Sequence, residues 1–331
     1  MIRQFLPPVR IMNALTAQSF WKIAGSTALA FSLCANALLA QDPFRTTNSQ
    51  AIGEKTEAAF KSLFEEGNYK TASSQLEQAL SSEPNEPLLY AMKASLAYTE
   101  GDLNGLNSYG SKTREVAESL KVSNPLRGNL YIAVGHFLEG AYILSKEGTV
   151  KGSPQALAKL RQVFQHLDAA EKIAPQDPEV NLLKGYMDLM LATTLPFSNP
   201  DDAISRLENY AGPRYLADRG IAVGRRNMKQ YDKALESVNR SVAETPNNPE
   251  AHYLKAQILV NLKNNKEAKQ HFQTALAKPE QLPKSLVQQI FYEHCKNEKR
   301  LENKTWNCDA VRDKIREAKG NWGPSELPRL E

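Results

Sequence analysis

A short motif recurs in this chain at a fixed step. Glu66-Gly67-Asn68-Tyr69 is followed 34 residues later by Glu100-Gly101-Asp102-Leu103, and the same step separates Ala234 from Ala268 and Ser241 from Ala275. Over a helical apolar pattern, a 34-residue period describes a helix–turn–helix unit repeated in series. One such unit cannot bury its apolar face alone, so the period dictates stacking, and with it an all-α solenoid. Small residues at the recurring positions let two helix backbones approach where they cross. The stretch SVNRSVAETPNNPEAHYLKAQ, 237–257, carries the punctuation. Pro246 and Pro249 cannot sit inside a ladder of backbone hydrogen bonds, so they mark the end of one unit and the start of the next.

Charge narrows the function classes. The formal charge of the whole chain is +4, but residues 1–40 hold Arg3, Arg10 and Lys22 and no acid. The remainder has 38 basic and 37 acidic residues, a balance that lacks the electrostatic footprint of a general nucleic-acid binder. The leader itself has a basic region ending at Lys22, an uncharged apolar stretch from Ile23 to Ala40, and small residues in cleavage-like order at Ala35, Ala37 and Ala40. That layout predicts a secretory signal peptide over 1–40. Retention as an N-terminal anchor through residues 23–40 is the alternative, although Ser26, Thr27, Ser32 and Asn36 make the span marginal. Lipidation at Cys34 runs against the bulky Leu33. Export is common to all three.

Of three cysteines, Cys34 belongs to the leader, which leaves Cys295 and Cys308. An even pair in an oxidising compartment predicts a disulfide. One continuous helix would hold the two about 20 Å apart, whereas bonded cysteines need Cα atoms within about 7 Å. The chain is therefore expected to reverse near Glu302–Thr305. Two unrelated buried thiols remain an alternative. Metal binding is weaker, because His294 has no second pair of ligands at usable spacing.

At this point the repeats resemble the tetratricopeptide repeat (TPR) family. In PEAHYLKAQILVNLKNNKEAKQHFQTALAKP, Ala256, Ala268, Phe272 and Ala275 fall where that family has its small and aromatic positions. Ala222, Tyr231, Ala234, Val238 and Pro246 match in the preceding unit, and Gly67, Tyr69, Ala72, Leu76, Ala79 and Pro84 match in the first. The chain departs from the pattern in lacking the first-helix tryptophan, with Tyr90 or His252 in its place, and in carrying Arg225 where an aromatic is usual. The resemblance implies an all-α, helix–turn–helix TPR-like solenoid over 53–281, degenerate in the middle. An extended arm precedes it at 41–52, a C-terminal helical cap follows at 282–320, and a loosely held tail closes the chain at 321–331. Within the degenerate part, helices are expected at roughly 126–145 and 154–174, joined by KEGTVKGSP, and an insertion TTLPFSNP follows later. The DPFRTTN arm and EAAFKSLFEEGNY are similar to secreted cyanobacterial TPR proteins. That likeness implies periplasm or thylakoid lumen, with assembly of a membrane-associated complex as a task.

No catalytic arrangement is visible. The five histidines form no His-x-x-x-His pair, and no phosphate-cradling glycine loop occurs. The chain is read as a non-enzyme with no cofactor, no catalytic residue and no metal ligand. His252 reads as a packing residue, and the charged run Lys296–Arg300 as a solvated helix face. TPR proteins bind partners on the concave face lined by first helices. The resemblance places there Leu182, Tyr186, Leu189 and Met190, then Arg219, Val223, Arg226 and Asn227, then Tyr253, Gln257, Val260 and Asn261. A face half apolar and half Arg/Asn suits an amphipathic helix or extended peptide. The expected partner is a protein or peptide, without nucleic acid and with peripheral membrane association open. Burial of Leu182, Tyr186 and Met190 against the insert is an equal alternative. A second function class is a periplasmic binding protein for a small apolar ligand, held between helix 126–144 and the repeat groove. Gly128, Gly135 and Gly140 on that helix serve either close helix crossing or room for such a ligand.

Overall fold

The computed structural model describes residues 42–192 and 200–330. The leader and residues 193–199 of the TTLPFSNP insert lie outside the described residues. Thirteen α-helices and no β-strand occur among the described residues. In chain order they are α1 (Glu54–Phe64), α2 (Tyr69–Ser82), α3 (Pro87–Glu100), α4 (Leu103–Leu120), α5 (Pro125–Ile173), α6 (Pro178–Ala192) and α7 (Pro200–Asn209). There follow α8 (Arg214–Asn227), α9 (Tyr231–Glu244), α10 (Pro249–Asn261), α11 (Asn265–Ala275), α12 (Lys284–Glu302) and α13 (Cys308–Glu317). The all-α repeat architecture expected from the 34-residue period is the one observed. The chain divides into two compact units, one containing residues 42–57 and 75–213 and the other 58–74 and 214–330.

Helix starts follow the punctuation of the sequence. Pro249 occupies the first turn of α10, and the Asn248 side chain accepts from the Ala251 N–H at 2.8 Å. Pro87 and Glu86 open α3 in the same way, as do Pro125 and Asn124 at α5. Each cap satisfies a backbone donor that the helix leaves without a partner. The two helices expected around KEGTVKGSP are both present within α5, which breaks between them, and they lie side by side, with the His136 and His166 ring centres 6.0 Å apart. The break is confined to Gly148, at φ 76° and ψ 164°. That conformation is open to glycine almost alone, so a single residue redirects the chain where a nine-residue joint was expected.

In the first unit the N-terminal arm is pinned by charge. Arg45 donates to Asp177 at 2.7 and 2.8 Å, to Glu179 at 2.9 Å and to Asp42 at 2.7 Å. Arg127 is buried beside them, donating to both oxygens of Glu86 at 3.0 and 2.8 Å, and the Tyr131 hydroxyl donates to Glu179. Helices α4 and α5 cross closely in this unit. A Cβ on Gly135 would lie 2.8 Å from the Arg114 backbone nitrogen, whereas one on Gly140 would meet nothing nearer than 3.5 Å. The room at Gly135 is taken by α4.

In the second unit the recurring small residues are interior. Ala222, Ala234, Ala256 and Ala268 are fully buried, with Phe272 beside them. Residues 58–74 also belong here: the Tyr69 hydroxyl donates to Glu250, and Asn248 Nδ2 donates to the Glu65 carbonyl at 3.4 Å. Cys295 and Cys308 are bonded, with Cα atoms 5.7 Å apart. The reversal falls at Asn303, which takes left-handed φ 50° at the end of α12. The first residues of the tail are held rather than loose. Lys284 N–H donates to the Asn321 carbonyl at 2.8 Å, and Gly323 N–H to that of Leu282 at 2.9 Å.

The crossing at Gly135 yields a paired test. Gly135→Ala is expected to destabilise by about 1–3 kcal/mol, the usual range for overpacking. Gly140→Ala should be neutral or stabilise by about 0.5–1 kcal/mol through helix propensity. Urea unfolding of both variants measures the difference, and equal effects would contradict the crossing.

Candidate partner-binding surface

The twelve residues expected on the concave face do not share one environment. Leu182, Tyr186 and Leu189 of α6 are buried, and Met190 is half-buried. In the second unit Arg219 is completely buried and Tyr253 is 5% exposed. These five are interior positions in the single chain, so they do not form an open surface. Arg219 lies with Glu250 and Tyr69 inside the unit, where its charge opposes the rise that burial and Glu250 impose on the Tyr69 hydroxyl. Val223, Arg226, Asn227, Gln257 and Val260 are half-buried, and Asn261 is exposed. These six, all in the second unit, retain solvent access.

A polar relay joins three helices beneath this surface. Arg226 near the end of α8 donates through Nη1 to Gln257 Oε1, and through Nη2 to Asn227 Oδ1 at 3.0 Å. Gln257 on α10 donates from Nε2 to both oxygens of Glu293 on α12, at 3.2 and 3.0 Å. The Tyr253 hydroxyl donates to the same carboxylate at 2.7 Å. Gln257 thus stands between opposite charges, its carbonyl toward the guanidinium and its amide N–H groups toward the carboxylate. Among the described residues no carboxylate forms an ion pair with Arg226. Burial lowers the guanidinium's proton affinity, opposed by Tyr253 and Glu293. Burial, reinforced by Glu293, pushes the Tyr253 hydroxyl well up. The result is a half-buried cation positioned by amide oxygens.

Glu293 was not singled out in the sequence, because its segment LVQQIFYEH reads as apolar. A signal was available. Helix α12 begins at Lys284, 35 residues after α10 begins at Pro249, so it takes the position of a further first helix. Polar residues on its facing side then become candidates.

The structure also brings together His252 of α10 and His271 of α11, the two helices of one hairpin. Their Nδ1 atoms are 2.8 Å apart, and His252 Nε2 lies 2.8 Å from the Pro246 carbonyl. A carbonyl only accepts, so His252 carries its hydrogen on Nε2, and the hydrogen between the rings belongs to His271. Burial pushes both rings down in proton affinity, opposed at His252 by its bond to the Pro246 carbonyl and reinforced at both by Lys255, and takes His271 to about 4. This agrees with a packing role for His252. Among the described residues, no group of three or more His, Cys, Asp or Glu side chains is placed to hold a metal ion.

A family model described as tetratricopeptide repeat matches residues 227–290. The match runs from the last residue of α8 into the first turns of α12 and includes Asn227, Tyr253 and Gln257 but neither Arg226 nor Glu293. No curated protein matches the chain.

The histidine pair predicts an acid-sensitive stability. Its unfolded rings take protons near pH 6.5 and its folded His271 only near 4, so the unfolded state binds more protons between those values. Stability is full above about 6.5 and falls as pH drops toward 4, by up to about 3 kcal/mol. Denaturant unfolding at several pH values should show a shallower decline for His271→Gln than for the unsubstituted protein. Identical slopes would remove this group from the account.

Proposed function

We propose that this chain, which is a tetratricopeptide repeat protein, is an interaction scaffold that binds a protein or peptide partner on the face of its second unit carrying Arg226, Asn227, Gln257, Val260 and Asn261. Tetratricopeptide repeats generally mediate protein–protein interaction and are typically non-enzymatic. The observation that carries the choice of face is the relay. Three helices converge to hold one guanidinium whose direct hydrogen bonds go to neutral amide oxygens. Such a cation can accept a carboxylate or backbone carbonyl from an incoming chain, while half-buried Val260 offers apolar contact. The chemistry suits an extended peptide or the polar edge of an amphipathic helix.

The reading extends to location. A buried disulfide is compatible with export, and no described helix is long and apolar enough to cross a membrane. We place the scaffold in an exported compartment, the periplasm or a thylakoid lumen, with assembly of a membrane-associated complex as its task.

The test is crosslinking with mass spectrometry on the protein expressed in its own cell, comparing it with Arg226→Gln and Val260→Gln. Both changes leave the helices intact, and glutamine at 226 can still hydrogen-bond Gln257. Loss of one specific protein partner, with affinity for it reduced at least about tenfold and melting temperature unchanged, is the expected result. A partner retained by both variants would move the binding face elsewhere, and no partner in any sample would end the scaffold reading.

A further inference from the structure

The turns of the second unit are chemically one-sided. Helices α8 to α13 follow one another as packed hairpins, so alternate turns fall at the same end. Turns 228–230, 262–264 and 303–307 share one edge, and the intervening turns face away. Cross-contacts bind that edge together: Asn297 Nδ2 donates to the Asn265 carbonyl at 2.9 Å, and Lys269 Nζ donates to Glu298 at 2.6 Å. Segments 227–233, 262–269 and 296–304 contain nine basic and four acidic residues. The turn between α9 and α10 at the far end, 244–250, has two acids and no base. In a chain nearly neutral beyond its leader, this is a concentration of charge.

Two of these lysines stand where a lysine is costly. Lys229 and Lys263 are 34 residues apart and have φ of 62° and 64°. The corresponding turns earlier in the chain use Gly67 and Gly101, at 63° and 79°. The left-handed conformation crowds Cβ against the following carbonyl and is the usual place for glycine at a helix end. A disfavoured residue placed twice at one position in the repeat points to a need for its side chain.

The charges are also free to act outward. Lys229, Lys233, Lys263, Lys266 and Arg300 are exposed and Lys299 is half-buried. Among the described residues none of these six forms an ion pair. The acids nearby are Asp232, exposed among them, and Glu267, Glu298 and Glu302, which are engaged by Lys255, Lys269 and Lys304 at 3.6, 2.6 and 2.7 Å. Beside the cations sit Leu301, 39% exposed, and Trp306, whose ring centre is 4.9 Å from Lys304 Nζ.

We propose that this edge docks the protein onto an anionic lipid surface. The cations stand on flexible stems along successive turns, which suits a plane of phosphates better than one folded acidic partner. An exposed leucine and a tryptophan at the same level match the chemistry of the headgroup region. The surface is separate from the Arg226 relay, so lipid docking leaves that face available.

The experiment is co-sedimentation of the protein, purified as it accumulates in the cell, with phosphatidylcholine vesicles with and without phosphatidylglycerol. Neutral vesicles report any contribution of the leader. Binding should require phosphatidylglycerol and disappear at about 0.5 M salt. Each lysine near an anionic surface contributes about a fivefold change in affinity, so Lys229→Gly/Lys263→Gly should weaken binding about twenty-five-fold. Glycine suits both backbone conformations, so the same variant should keep or raise its melting temperature. Equal binding to neutral vesicles, or full binding by the glycine variant, would overturn the proposal. So would binding to polyglutamate without binding to vesicles, which would assign the edge to an acidic protein.

Discussion

The close approach of helix backbones is the constraint on which the rest of this structure depends. In the second unit Ala222, Ala234, Ala256 and Ala268 have no exposed surface, and a larger side chain at any of them would need room that packed neighbours occupy. Separation at one crossing would displace every residue that neighbouring helices hold in common. The Arg226–Gln257–Glu293 relay shows the dependence directly, since its members come from α8, α10 and α12 and meet within hydrogen-bonding distance. Hydrogen bonds steepen in cost with small displacements. Packing of methyl groups therefore sets the geometry of the polar surface above it.

Charge has a different part in the first unit. Arg45 and Arg127 are buried with Asp42, Glu86, Asp177 and Glu179, and removing such groups from water costs energy that their mutual attraction roughly offsets. Their contribution lies in geometry more than in net stability. An arm without regular structure has no hydrogen-bond ladder to fix its path, and the guanidinium of Arg45, with its directional donors, supplies one. Asp177 also caps α6, accepting from the Val180 N–H at 3.0 Å, so the arm is fixed to a helix start already ordered by its own backbone. In the second unit, residues 58–74 are bonded to the segment around Asn248 and Glu250. A repeat contacting only its sequence neighbours, the usual solenoid rule, would not make that bond.

How far the sequence could be read follows from what periodicity encodes. A 34-residue step, helix caps and prolines report on local backbone, so helices and turns were expected nearly where they lie. The disulfide was legible too, because Cα spacing along a helix forbids the bond without the reversal now seen at Asn303. Periodicity also tells which face of a helix is inward for its own hairpin. It does not tell what else packs on the remaining face. Tyr253 was expected at the surface, yet α12 supplies Glu293 to its hydroxyl, and Arg219 lies with Tyr69 and Glu250, residues distant in sequence. Burial at such positions is decided by long-range neighbours, which no local pattern records.

The same reasoning explains why the two surfaces of the second unit differ in kind. On first-helix faces, neighbouring helices lie close enough for side chains to find partners across them, so polar groups there become linked and only a remnant of their valence faces solvent. A turn has neighbours on fewer sides. Long cations placed on it are held by nothing but their stems, and their charge projects into solvent, where it acts over about a Debye length of 8–10 Å rather than through directed bonds. One architecture thus presents a face suited to recognising a particular chain and an edge suited to sensing charge density. Both arise from the repeat, the face from where helices meet and the edge from where they end.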